Sequence, residues 1–182
     1  LDPDIHKRLE VAFVANEDWQ QRLANHTVGA EFGDRLRLLP KTEAIEGAAN
    51  SAASMATENG KAALYLEPGL AFGSGSHPTT RMCLEWLARH VAAQQTVLDF
   101  GCGSGILAIG AALLGARVIA VDHDSQAILA TQENAAFNGV GKHIQTLTLE
   151  EWGRDRSPQA LEQFDIVVAN IPVSYTHLRA HE

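Results

Sequence analysis

The spacing of apolar residues changes several times along this chain, and each change predicts an element. In residues 3–14, Ile5, Leu9, Ala12 and Phe13 fall on one helical face, and a second helix starting at Asn16 or Asp18 turns Trp19 and Leu23 inward. Residues 31–40 read as a strand after a Gly33-Asp34 turn, with Leu36 and Leu38 alternating against Arg35 and Arg37. Residues 46–60 are small, polar and glycine-flanked, which predicts a linker, with an alanine-rich helix as the other reading. A strand returns over 61–66. From Pro78, a favoured first helical residue, Met82, Cys83, Trp86, Leu87, His90 and Val91 are expected to form a helix's buried face.

Beyond this helix the pattern becomes regular. Apolar runs at 96–100, 118–121, 143–149 and 164–171 predict strands, and helices are expected over 106–114 and from Asp124 through Phe137. Gly115 and Asn138-Gly139 supply the helix stops. Residues 150–163 are polar and predict irregular chain with a short helix. Strands alternating with helices imply an α/β fold with a parallel, doubly wound sheet. The 96–100 run suits a central strand covered on both faces, and the 164–171 run should lie beside it.

Candidate chemistry gathers at the end of that central strand. Asp99-Phe100-Gly101-Cys102-Gly103-Ser104-Gly105 places three alternate glycines between a strand and a helix start. Glycine permits positive φ and close approach of another molecule, and the helix start offers unpaired N–H groups and a positive dipole end. A tight turn with no ligand is the plainer reading. The spacing is G-x-G-x-G, unlike the G-x-G-x-x-G dinucleotide fingerprint. The next strand ends in Asp122, about twenty residues after the glycines, where a carboxylate suits a pair of ribose hydroxyls; its other reading is a helix cap, for which Asp124 and Ser125 are better placed. Residues 66–80 are rich in glycine, proline and hydroxyl groups yet contain Leu70, Ala71 and Phe72, which suggests a loop folded over something. Ser76, Thr79 and Thr80 then sit at a helix N-terminus, able to serve a ligand or simply to cap. A lone His77 is assigned no role. Asn170 should emerge beside the glycine turn, either as a contact to a ligand or as a strand-end turn residue.

The D-x-G-x-G-x-G run resembles motif I of class I S-adenosylmethionine-dependent methyltransferases. Together with Pro68-Gly69-Leu70-Ala71-Phe72-Gly73-Ser74-Gly75-Ser76-His77-Pro78-Thr79-Thr80, it resembles the bacterial methyltransferases acting on ribosomal large-subunit protein eleven, with matching residues from about Glu67 to Ile171. The resemblance implies a Rossmann-like class I core over 61–171, truncated after its first four strands, and a partial α+β substrate-recognition domain with linker over 1–60. It implies S-adenosylmethionine as cofactor, contacted by Thr80, Gly101, Asp122 and Asn170, and N-methylation of lysine, and of α-amino groups, in a ribosomal protein. No catalytic base and no metal are assigned. The start of the N-terminal domain is expected to be missing, since the chain opens on Leu1. Residues 172–182 depart from the family and read as a non-native tail.

Composition adds limits. Across 182 residues, 46% hydrophobic and 20% charged content suits one domain with an appendage. The net charge of −8 disfavours a large nucleic-acid footprint. Two cysteines outside any C-x-x-C pair indicate neither a disulfide frame nor a zinc site. That cysteine usage fits a reduced cytoplasm, and no apolar run is long enough to span a bilayer; a cytoplasmic monomer is expected, without membrane or direct nucleic-acid contact. A methyltransferase for another protein, RNA or small molecule and an inactive fragment remain the alternatives, with an NAD oxidoreductase a distant third.

Overall fold

The structure, a computed structural model, describes residues 30–42, 60–66, 77–154 and 163–171. The helices expected before residue 30, the 46–59 linker, the 67–76 loop and the 172–182 tail lie outside the described residues.

Two sheets form. The smaller contains β1 (Ala30–Phe32), β2 (Leu36–Pro40) and β3 (Ala62–Leu66), in that order. β1 and β2 form an antiparallel hairpin, so the 31–40 run is two strands: Gly33, at φ +53°, reverses the chain inside it. β3 pairs parallel to β2. The larger sheet contains β4 (Thr96–Phe100), β5 (Arg117–Asp122), β6 (Ile144–Thr148) and β7 (Ile166–Ala169), all parallel in the order β6-β5-β4-β7. The expected neighbour of the central strand is therefore found where the pattern put it. The chain runs outward from β4 through β5 to β6 and returns to β7 on β4's other side. That reversal creates a crevice at the carboxyl ends of β4 and β7, where α/β sheets bind ligands.

Helices α1 (Pro78–His90), α2 (Ile106–Leu113), α3 (Ser125–Phe137) and α4 (Leu149–Arg154), with a 3-10 turn over Gly141–His143, accompany the strands. α2 lacks a polar face because it is covered all round: Ile106 through Ala112 are buried. Asp124 caps α3 by accepting a hydrogen bond from the Gln126 N–H at 2.9 Å.

The face of α1 differs in part from the expected one: Leu87 and Val91 are buried as expected, but Met82, Trp86 and His90 are not. Thr80, Leu84, Leu87, Ala88 and the following Val91 point into the core, whereas Met82 is 71% and Trp86 47% exposed and His90 is exposed too. Either stripe has helical spacing, and the neighbours decide between them. Leu84 and Leu64 both reach the space above Gly110 of α2, and an added Cβ there would meet Leu84 Cδ2 at 3.0 Å. Trp86 stacks instead on His90, with ring centroids 4.3 Å apart. Arg35 also departs from a simple outward position: its Nη1 donates to the carbonyls of Ala88 and Val91 at 3.2 and 2.6 Å, capping the C-terminal end of α1.

One apolar core joins both sheets. Phe32, Leu36, Leu38, Leu64 and Leu66 pack in the same cluster as Leu84, Leu87, Ile109 and Val97. The strands on either side of residue 60 thus share one sheet and one core.

Candidate functional site

The glycine turn is built by what its backbone must do. Gly101, Gly103 and Gly105 have φ of +79°, +54° and +79°, a region costly to side-chain-bearing residues. The N–H groups of Gly101 and Cys102 both donate to the Val121 carbonyl, at 2.8 and 3.1 Å, folding the turn over the end of β5. The Gly103 N–H donates to Asp122 Oδ2 at 2.9 Å. From α3, Thr131 Oγ1 donates to the Gly103 carbonyl at 3.1 Å and Asn134 Nδ2 to the Ser104 carbonyl at 2.8 Å. One side of the turn is thereby clamped. The other faces the crevice.

Asp99 works from beneath. Its Oδ2 accepts the Ala108 N–H at 2.9 Å, satisfying one of the orphan donors in the first turn of α2. Gly105, at the cap position, has no side chain to do so. Asp99 is 1% exposed, and its other oxygen has no hydrogen-bond partner. Burial, opposed by the Ala108 N–H and reinforced by the nearby Asp122 charge, raises its pKa to about 7. Burial likewise pushes the Cys102 thiol up to about 12, so this cysteine is an inert core group and no nucleophile.

Of the four residues expected at the site, Gly101 follows β4, Asp122 ends β5, Asn170 follows β7 and Thr80 lies in the first turn of α1. Asp122 ends β5 at 7% exposure; its Oδ1 accepts the Asp124 N–H at 3.0 Å, with His123 Nδ1 also at 3.0 Å. A carboxylate has about four acceptor positions, so Asp122 holds the turn and keeps capacity for further donors. Gly101 lies under the residues following β7: a Cβ there would meet Ile171 Cγ1 at 2.9 Å. Thr80 and Asn170 are brought together directly, Asn170 Nδ2 donating to Thr80 Oγ1 at 2.8 Å. His77 caps α1, its Nδ1 accepting the Thr79 N–H. Ser76 lies outside the described residues.

Sequence reasoning missed Thr131, Asn134 and the capping role of Asp99. The available signal was polarity on an inward face: Thr131 is fully buried and lies on α3 only three residues from Asn134. Among the described residues no cluster of side chains could hold a metal ion. At the carboxyl ends of the strands stand the Asp122 carboxylate and the Asn170 amide, a set that suits a ligand with hydrogen-bond donors and not a pyrophosphate. Gly101 is a position with no room for a Cβ, because Ile171 lies against it.

Comparison with known proteins agrees with this geometry. Residues 3–175 match the family model described as ribosomal protein L11 methyltransferase (PrmA). A ribosomal protein L11 methyltransferase of Haemophilus ducreyi is 43% identical over 165 residues, covering 89% of this chain and 50% of the relative. One from Nitrosococcus oceani is 42% identical over 167 residues, covering 87% and 48%. This chain thus spans about half the length of the curated relatives it matches. The crystal structure of a ribosomal protein L11 methylase from Lactobacillus delbrueckii subsp. bulgaricus superposes with a TM-score of 0.58 at 31% identity, covering 79% of this chain and 66% of that one. With the glycine turn, the parallel sheet and a family match over most of its length, this chain belongs to the ribosomal protein L11 methyltransferase family.

Proposed function

We propose that this chain carries the cofactor-binding core of an S-adenosylmethionine-dependent methyltransferase that N-methylates lysine side chains, and α-amino groups, of ribosomal protein L11. The observation that carries the reading is the meeting of Thr80 and Asn170 beside the Gly101 turn, at the strand-order reversal. S-Adenosylmethionine, when bound, supplies a methyl group on a cationic sulfur that is already a good leaving group. The protein's part is therefore placement and exclusion of water. Gly101 lets the backbone come close, Asp122 offers acceptors to a vicinal diol, and Thr80 and Asn170 border the opposite wall. No described side chain is assigned as a general base.

Residues 1–60 would contribute recognition of the protein substrate and 61–171 cofactor binding, with 172–182 a non-native tail. We read the protein as a cytoplasmic monomer without direct membrane or nucleic-acid contact. The net charge of −8 supports the last point, and no helix among the described residues is long and apolar enough to cross a membrane.

The test is a thermal melt with S-adenosylhomocysteine, using NADH as control. At a hundredfold excess over Kd the expected gain is roughly 2.7 kcal/mol with S-adenosylhomocysteine and none with NADH. Stabilisation by NADH alone would overturn the reading. Transfer of labelled methyl groups to unmethylated L11, but not to other ribosomal proteins, then tests the substrate.

A further inference from the structure

Thr80 and Asn170 are 90 residues apart in sequence. One lies in the first turn of α1, the other just beyond β7. Their hydrogen bond ties α1 to the end of β7, and Thr80 is 2% exposed, so water competes weakly for it. The two ends of an asparagine amide have opposite chemistry: the amino group donates and the carbonyl accepts. A half-turn of the side chain would exchange them. With the amino group given to Thr80, Oδ1 is the end left over, and it makes no hydrogen bond with another described residue. The backbone has little freedom to compensate, because β7 is in register with β4 up to Phe100 opposite Ala169 and Ile171 lies against Gly101.

We propose that Thr80 is a positioning residue for Asn170: by accepting the amide N–H it holds the side chain in the orientation that leaves Oδ1 toward the crevice, the alternative, a Thr80 O–H given to Oδ1, being what the amide spectra below would reveal. This corner of the site then accepts a hydrogen bond from a ligand N–H or O–H and disfavours a bare acceptor. The inference rests on the cofactor-site reading above and adds that the two residues act as one unit, not as two separate contacts.

Two measurements on the whole chain test it. The first needs no ligand. In nitrogen-15 spectra the Asn170 side-chain amide should show one shifted, slowly exchanging proton, retained in Thr80→Ser and lost in Thr80→Val. Should Thr80→Val not fold, Thr80→Ala makes the same comparison. An Asn170 amide signal unchanged by loss of the hydroxyl overturns the proposal. The second is calorimetric titration with S-adenosylhomocysteine. Thr80→Val should weaken binding about three- to tenfold, Thr80→Ser less, and Thr80→Val added to Asn170→Ala should cost nothing more. Losses that multiply in the double variant mean independent contacts and sink the idea. Failure of the native chain to bind S-adenosylhomocysteine would instead defeat the cofactor reading and leave the spectra to decide the pairing.

Discussion

Asp99 shows how one side chain can serve a turn it does not belong to. Its carboxylate reaches from β4 to the first turn of α2, at 1% exposure, and leaves one oxygen unpartnered. An unsatisfied buried acceptor is costly, and the cost registers as a proton held more tightly in the folded state. With a native pKa of about 7 against an ordinary 3.8, the folded protein binds more protons than the unfolded chain between those values. Stability contributed by this group therefore falls as pH rises from about 4 to about 7. Melting temperature measured across that range should fall more steeply for the native protein than for Asp99→Asn, which cannot titrate. Parallel curves would place the proton elsewhere. The acid was visible as part of the glycine run; its task was not, because the Ala108 N–H it caps is nine residues away and meets it only when the strand and helix fold back on each other.

Helix α1 illustrates the limits of periodicity. Two stripes with helical spacing run along it, one through Met82, Trp86 and His90, the other through Leu84, Leu87 and Val91. The expected face mixed the two stripes: Leu87 and Val91 are buried as expected and Leu84 joins them, whereas Met82, Trp86 and His90 lie at the surface. Leu84→Ala should cost about 2–5 kcal/mol by leaving a cavity against Gly110 and Leu64, whereas Trp86→Ala should change stability by less than about 1 kcal/mol. Chemical denaturation of the two variants checks this, and a larger loss at Trp86 would restore the first expectation. For α2 no such ambiguity arose, since a helix apolar on every side can only be interior. α3 was legible in its ends, through Asp124 and Asn138-Gly139, but not in the clamp it places on the glycine turn, because Thr131 and Asn134 acquire partners only from the opposing loop.

The two sheets fold as one body. Besides the shared leucine core, three polar ties cross between them: Glu85 Oε2 accepts the Gly33 N–H at 2.9 Å, Arg35 caps α1, and Asn138 pairs with both the N–H and the carbonyl of Tyr65, at 2.7 and 2.8 Å. Unfolding followed by Trp fluorescence and by far-ultraviolet circular dichroism should therefore give coincident, single transitions. Separate midpoints would mean that the hairpin and β3 come apart from the α/β core. Among the described residues β7 is an edge strand with Val167 half exposed, so its unpaired side is the one most open to association with other strands.

Much of this organisation was legible along the chain because it is local. Period two or period 3.6, a glycine run at a strand end, an aspartate before a helix and a proline at its start each act within a few residues. Those signals placed the parallel strands, the capped helices and the turn. The hairpin inside 31–40 depended on one glycine whose reversal propensity reads equally as a turn before a strand. Which stripe of α1 is buried, what Asp99 caps, and that Thr80 and Asn170 meet at all were settled only by packing. These contacts join segments up to 90 residues apart, and no periodicity carries the identity of a partner that distant; only the closed tertiary structure supplies the opposing surface.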